Sequence, residues 1–94
     1  MPDVRDNTEK SRFEIDVDGK VAGFAEYERR RDGEIVFTHT EMDDAYEGQG
    51  LAAKLARGAL DMVRTSGDKV VAECAFIAGW IERHDDYKDL LAAS

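Results

Sequence analysis

"AYEGQGLAAKL", residues 45–55, lies where the hydrophobic pattern of the chain changes from strand-like to helical. The segment before it, "EIVFTHTEM" (residues 34–42), is typical of a strand, and the segment after it places its apolar residues on one wide face of a helix. Gly48 and Gly50 stand at the junction, and Gly67 is placed to end the helix. We therefore predict a strand, a glycine loop and a helix in succession.

The segments on either side of this junction complete an α/β architecture. Upstream, residues 12–17 alternate between apolar and polar, and residues 20–30 form a less regular strand after the turn signal Asp18-Gly19. Downstream, residues 69–76 have the pattern of a fourth strand, buried on both faces, and residues 78–93 that of one or two short helices. The predicted order is β-β-β-α-β-α, an antiparallel meander followed by a parallel β-α-β crossover.

The length and composition indicate one soluble domain. Residues 1–10 are polar and are expected to be flexible, which leaves residues 11–94 as the domain. The longest uncharged run, residues 74–81, falls far short of the roughly 20 residues that cross a bilayer, so no membrane partner is expected. The start of the chain lacks the apolar core of a secretory signal. A single cysteine excludes an intramolecular disulfide and is consistent with a cytoplasmic location.

The charge distribution limits the classes of ligand. The net charge is −8, and most of it lies in residues 1–47. The chain therefore offers no basic field for nucleic acid. Residues 48–57 contain Lys54 and Arg57 and no acid, so an anionic ligand meets the least repulsion beside the glycines. The first N–H groups of a helix lack intrahelical partners, and they favour a phosphate at this position.

Two common phosphate-binding motifs do not account for the glycines. The GxxxxGK[ST] spacing is missing, and Leu55 follows Lys54. Gly48-x-Gly50-x-x-Ala53 matches the dinucleotide fingerprint, with the acidic Glu73 about 20 residues further on. However, this match follows a meander, and too little chain remains after Glu73 for a second nucleotide-binding half.

A third pattern does fit the loop. "EGQGLA", residues 47–52, resembles the acyl-CoA loop [QR]xxGx[GA] of the GNAT N-acetyltransferase superfamily. Gly50 and Ala52 match the last two fixed positions, whereas Glu47 departs from the first.

Other segments extend the resemblance. "FTHTEM", "CAF" and "IERHDDYKDLL" resemble a small single-domain branch of this superfamily, over roughly residues 12–91. Ala75 and Asp85-Asp86 depart where that branch usually has proline and Pro-Glu.

The resemblance implies a GNAT-like fold that binds acetyl-CoA, with pantetheine between two splayed parallel strands and the pyrophosphate on the loop amides. It implies direct transfer of acetyl from the thioester to an amine acceptor, either a small amine or a lysine side chain. The acidic N-terminal half suits a cationic acceptor. The implied cofactor-binding residues are Thr40, Glu41, Met42, Gly48, Gln49, Gly50, Leu51, Ala52 and Ala53.

Cys74 and His39 are the candidate catalytic residues. Cys74 lies near the strand end that faces the expected thioester, where it would accept acetyl transiently, line the acetyl pocket, or pack as a small buried hydrophobe. Strand alternation places His39 on the face of Ile35 and Phe37. There it would orient Cys74 or serve as a base for the amine, or would be a half-buried histidine with one nitrogen satisfied.

Two other functions are compatible with these residues. A CoA-binding or protein-interaction module would keep the fold without turnover, because a chain of 94 residues has little material for an acceptor pocket. A redox role for Cys74 lacks a partner cysteine. No metal site is expected, and the protein is expected to be a monomer or a weak homodimer.

Overall fold

Strands dominate the first half of the chain and helices the second. The computed structural model describes residues 2–92. The elements are β1 (Asp3–Asn7), β2 (Arg12–Val17), β3 (Lys20–Arg29), β4 (Glu34–Met42), a 3-10 segment (Asp44–Tyr46), α1 (Leu51–Ser66), β5 (Lys69–Ala72), α2 (Ala75–Glu82) and a second 3-10 segment (Asp85–Leu90). One sheet has the order β1-β2-β3-β4-β5. Strands β1 to β4 are antiparallel and β5 is parallel to β4, so the predicted meander and crossover are confirmed.

Strand β1 corrects the expectation that residues 1–10 are a flexible terminus. Its pairing with β2 is supported by polar side chains, among them Arg5, whose Nε donates to Asp16 Oδ2 at 2.7 Å. Val4 packs close to α1 at Gly58, where a Cβ would lie 2.7 Å from the valine side chain. An edge strand held by ion pairs and one valine carries little hydrophobic periodicity, so the sequence pattern did not reveal it.

The core lies between α1, α2 and one face of the sheet. Helix α1 ends at Gly67, whose left-handed backbone lets its N–H reach the carbonyl of Arg64, as the sequence predicts. Burying an aliphatic or aromatic side chain stabilises the fold by about 1.5–3 kcal/mol. The apolar face of α1 contributes Leu51, Leu55, Ala56, Ala59, Leu60 and Val63 to the core, and the sheet contributes Phe13, Ile15, Ala25, Tyr27, Ile35 and Phe37.

Strand β5 is shorter and more exposed than the sequence predicts. The expected strand over residues 69–76 ends at Ala72, and only Val70 of its four residues is fully buried. Strand β5 is the last strand of the sheet, and Leu91 bridges its outer edge at Val70. The remaining apolar residues begin α2, for which Cys74 is the N-cap. A short apolar run does not distinguish a buried strand from the first turn of a buried helix.

A β-bulge at Thr38 changes the direction of the side chains at the end of β4. Residues 26–27 of β3 pair with His39 and Phe37, so Thr38 is an extra residue on β4. The alternation of side chains shifts by one position after Phe37. As a result Thr40 faces the core side of the sheet, and His39, expected on that side, faces away from it. The predicted position of His39 on the face of Ile35 and Phe37 is therefore wrong.

Glu14 is a buried acid on the opposite face of β2 from the core. Its side chain is 1% exposed. Arg12 Nε and Asn7 Nδ2 donate to its Oε2 at 2.6 and 3.1 Å, and Arg5 forms an ion pair with its Oε1. Burial acts to raise the pKa of Glu14, but the hydrogen bonds and the charges of the two arginines hold it below its ordinary value. The ionised form is thus the one that stabilises the fold.

We expect Glu14→Gln to lower the free energy of unfolding at pH 7 by about 1–3 kcal/mol, because Arg12 loses a charged acceptor. Because the pKa of Glu14 is lower in the folded than in the unfolded state, its contribution to stability is fully present above the unfolded-state pKa of about 4.3. This contribution is lost as the pH falls through the folded-state pKa. Urea unfolding over acid pH should therefore show a smaller loss of stability in the variant. Glu28→Gln, at an exposed position of the same sheet, is the control. Equal acid dependence of Glu14→Gln and wild type would contradict the assignment.

Candidate functional site

Strands β4 and β5 diverge after Phe37. The main-chain N–H groups of both Glu73 and Cys74 donate to the carbonyl of Phe37, at 3.0 and 2.9 Å, and the chain then turns into α2. Strand β4 continues to Met42, paired with β3 alone. The β5-facing main-chain edge of residues 38–42 therefore has no strand partner among the described residues.

The glycine loop follows the free end of β4 directly. Gly48 and Gly50 have φ of 82° and 70°, in the left-handed region that glycine adopts without strain. A Cβ at either glycine would meet no atom within 4 Å, so backbone conformation rather than crowding requires glycine here. Gly50 is the N-cap of α1, and among the described residues no side chain caps the first turn and no acid lies in it. The N-terminal donors of α1 are thus available to an anion.

A cavity of about 150 Å³ joins the end of β4 to this loop. It brings together predicted cofactor-binding residues from both segments. Tyr46 and Glu47 also line it, and the sequence carries no signal for Tyr46 at such a site because an isolated tyrosine more often packs. The predicted residues on the cavity wall are Met42, Gly48, Gly50, Leu51 and Ala52.

The other predicted cofactor-binding residues lie nearby but outside this wall. Gln49 and Ala53 are exposed on the loop and on the first turn of α1. Thr40 is half-buried and contacts Cys74. Glu41 lines a separate cavity of about 250 Å³, together with Arg12.

Cys74 lies at the point where the two strands separate. Its Sγ is 3.2 Å from Thr40 Oγ1, and the residue is 7% exposed. The strand-end position expected from the sequence therefore corresponds to the N-cap of α2, beside the free edge of β4. This burial is compatible with packing and with a place on the wall of a narrow acetyl pocket.

His39 is not beside Cys74. Its side chain is 54% exposed, its ring lies edge-on to Phe24 at 6.5 Å, and its Nε2 is 3.5 Å from Glu41 Oε2. The bulge at Thr38 places His39 and Glu41 on the opposite face of β4 from Thr40. The suggestion that His39 orients the Cys74 thiol is corrected accordingly.

An aromatic cluster supports the outer side of α1. Tyr87 Oη donates to Asp61 Oδ1 at 2.7 Å and accepts from Arg57 at 3.2 Å. Burial raises the pKa of Tyr87, and its hydrogen bond to Asp61 and the charge of that group act in the same direction. The rings of Trp80 and His84 stack at 3.8 Å, and Tyr87 meets Trp80 edge-on. The hydrogen bonds of Tyr87 to Arg57 and Asp61 thus hold the second 3-10 segment against α1.

Two kinds of feature are absent from the described residues, 2–92. No group of three or more His, Cys, Asp and Glu side chains there is arranged to hold a metal ion. No helix in the same range has the length and apolar character needed to cross a membrane.

The sequence model of the GCN5-related N-acetyl-transferase family matches residues 12–90. The chain belongs to this family. Membership of this family supports acetyl transfer in general as the chemistry of this chain. We found no curated protein that matches it.

Solved structures of similar fold agree with the GCN5-related assignment. A GCN5-like protein from Staphylococcus aureus is 25% identical with a TM-score of 0.72, and the match covers 98% of this chain and 89% of that one. The ribosomal-protein-S18-alanine N-acetyltransferase from Escherichia coli is 23% identical with a TM-score of 0.63, over 77% of this chain and 49% of that one. A ribosomal-protein-alanine N-acetyltransferase from Brucella melitensis biovar Abortus 2308 is 18% identical with a TM-score of 0.56, and the match covers 88% of this chain and 62% of that one. The last two show the fold alone.

Proposed function

We propose that this GCN5-related chain binds acetyl-CoA between the diverging ends of β4 and β5 and transfers the acetyl group directly to an amine. The observation that carries the proposal is the free edge of residues 38–42 beside an uncapped helix N-terminus at Gly50. A free strand edge offers main-chain groups to the amides of pantetheine, and a helix N-terminus favours phosphate.

The residues present fit acetyl-CoA. Main-chain N–H groups of the loop and of the first turn of α1, over residues 48–53, would hold the pyrophosphate, and Gly48 and Gly50 leave open space for its approach. The edge of residues 40–42 would hold the pantetheine. Exposed Glu47 opposes an anion, and Lys54 in the next turn offsets it.

The reaction converts an amine N–H and the acetyl thioester into an amide and the thiol of CoA, so that the proton lost by nitrogen is balanced on sulfur. Cys74 and Thr40 would line the acetyl end of the site, at the divergence of the strands. His39, exposed beside Glu41 on the other face of β4, would meet an amine that arrives from solvent. The acidic N-terminal half favours a cationic acceptor, a small amine or a lysine side chain.

A second candidate is a CoA-binding or protein-interaction module without turnover. The chain spans about half the length of the Escherichia coli enzyme to which its fold is similar. Its cavity at the loop, about 150 Å³, is small for a site that must also admit an acceptor.

Titration of CoA into ¹⁵N-labelled protein tests the location of the site. We expect micromolar binding with the largest amide shifts in residues 47–54. The largest shifts in residues 29–31, or in the first ten residues, would show that the loop is not the site. With acetyl-CoA and a panel of amines, release of free thiol above a protein-free control is expected for the enzyme. Binding without release would support the second candidate.

A further inference from the structure

Two basic side chains beside the glycine loop lack carboxylate partners among the described residues. Lys54 and Arg57 are exposed on the first turns of α1, and neither forms an ion pair with a described acid. Residues 48–60 contain no acid at all, in a chain of net charge −8. Exposed Lys20 and Arg31 also form no ion pair with a described acid, but each of them lies within two residues of an aspartate in the sequence. The start of α1 is therefore a local positive surface on an acidic protein.

The aromatic cluster holds Arg57 in place. Its guanidinium donates to Tyr87 Oη at 3.2 Å and lies 5.4 Å from the ring centre of Trp80 and 5.5 Å from that of Tyr87. Asp61, one turn further along α1, accepts a hydrogen bond from Tyr87 and forms no ion pair with Arg57. Because the guanidinium of Arg57 is already fixed against the rings, its side chain loses less conformational entropy when a ligand binds. The N–H groups of Arg57 that do not bond Tyr87 are suited to a phosphate.

CoA carries a second anionic group that a protein can recognise. Besides its pyrophosphate it carries a 3′-phosphate monoester on the ribose, with a charge of about −1.5 to −2 at pH 7 by analogy with other phosphomonoesters. In the proposed site the loop amides are occupied by the pyrophosphate. Lys54 and Arg57 lie about 6 and 10 Å from Gly50 along the axis of α1, at 1.5 Å per residue, beyond the first turn.

We propose that Lys54 and Arg57 bind the 3′-phosphate of CoA and make this chain prefer CoA to 3′-dephospho-CoA. The inference rests on the proposed function, since it concerns the same ligand. Lys54 provides a flexible point charge and Arg57 a pre-positioned fork of donors, a combination that suits a phosphate dianion. In an acidic protein, these two cations also offset the repulsion that the ligand meets from the N-terminal half.

Calorimetric titration of each variant with CoA and with 3′-dephospho-CoA tests the inference. We expect wild type to bind CoA about tenfold or more tightly than 3′-dephospho-CoA, as for other charge-assisted contacts. Lys54→Gln and Arg57→Gln should each reduce this preference, and the double variant should bind both ligands alike. Arg57→Lys should keep part of the preference. Lys20→Gln and Arg31→Gln, which remove exposed cations outside the site, should leave it unchanged.

The outcomes separate the two proposals. Equal affinity of wild type for the two ligands would overturn the role of the 3′-phosphate and leave the proposed function intact. Equal weakening of both ligands in the variants would also overturn it, because the cations would then act on the pyrophosphate. If wild type binds neither ligand, the proposed function fails and the inference fails with it. Thermal unfolding of Arg57→Gln checks the aromatic cluster, and Lys54→Gln tests the inference without touching that cluster.

Discussion

A Gly50→Val protein is expected to lose at least about tenfold in affinity for CoA, a change of roughly 1.4 kcal/mol in binding free energy. Gly50 has φ of 70°, and a valine there adopts a strained backbone at a cost of about 1–3 kcal/mol or leaves that conformation. In the proposed site, the open space that a Cβ would enter is also the space through which a phosphate would approach the N–H groups of α1. Both effects weaken binding, and calorimetric titration with CoA measures their sum.

Gly67→Val is a matched control for this experiment. Gly67 caps the other end of α1 with φ of 80°, and a Cβ there also meets open space, so its substitution imposes a similar backbone strain. We expect both variants to lose comparable stability in urea unfolding and only Gly50→Val to lose affinity. Normal CoA binding by Gly50→Val would mean that the glycines serve the turn alone.

Replacing Cys74 with alanine is expected to lower acetyl transfer roughly tenfold without abolishing it, because the proposed acetyl pocket would lose part of its wall and the reacting group would shift. The stability cost should be about 1 kcal/mol, since one small buried group is removed. CoA binding should persist, because the loop amides are untouched. Thr40→Val, which removes the hydroxyl that contacts the sulfur, tests whether that contact matters on its own.

The transfer rate of Cys74→Ala separates three roles for this residue. Complete loss of transfer with normal CoA binding would assign the acetyl-carrying role to the thiol. Unchanged transfer would place Cys74 in the core alone. For a residue that lines the pocket, iodoacetamide labelling at pH 7 should be slow, since Cys74 is 7% exposed, and bound CoA should slow it further. Labelling that CoA does not affect would contradict that position.

Strong local patterns predicted most of the fold. The alternation of residues 12–17, the change of period after Gly50 and the glycine at position 67 all reappear as β2, α1 and its C-cap. These signals come from burial of one face or from a backbone conformation that favours glycine, and both act within a short window of sequence. The parallel crossover then followed from the rule for strands joined by a helix.

Features that depend on register were not predictable in the same way. Thr38 carries no signal of an inserted residue, yet the bulge there decides that Thr40 rather than His39 faces Cys74. A bulge is a property of two paired strands, and a single strand pattern does not contain the partner's register. The position of Cys74 was approximately right because the divergence occurs at the end of β5, but its place at the start of α2 depended on where the strand stops.

The order of assembly follows from the pairing of β4 with β5. Short turns connect each of the strands β1, β2, β3 and β4 to the next one. By contrast, Glu34 of β4 pairs with Lys69 of β5 only after all of α1 has packed between them in the chain. Closing such a long loop costs chain entropy before the new contacts can offset it, so the junction at Phe37 is expected to form late in folding. For the same reason we expect this junction to open locally before the meander does. A ligand held at that junction would bind only the closed form. Bound ligand would then slow amide hydrogen exchange in β5 more than in the other strands. The fraction of molecules in which β5 is paired would therefore depend on the ligand concentration.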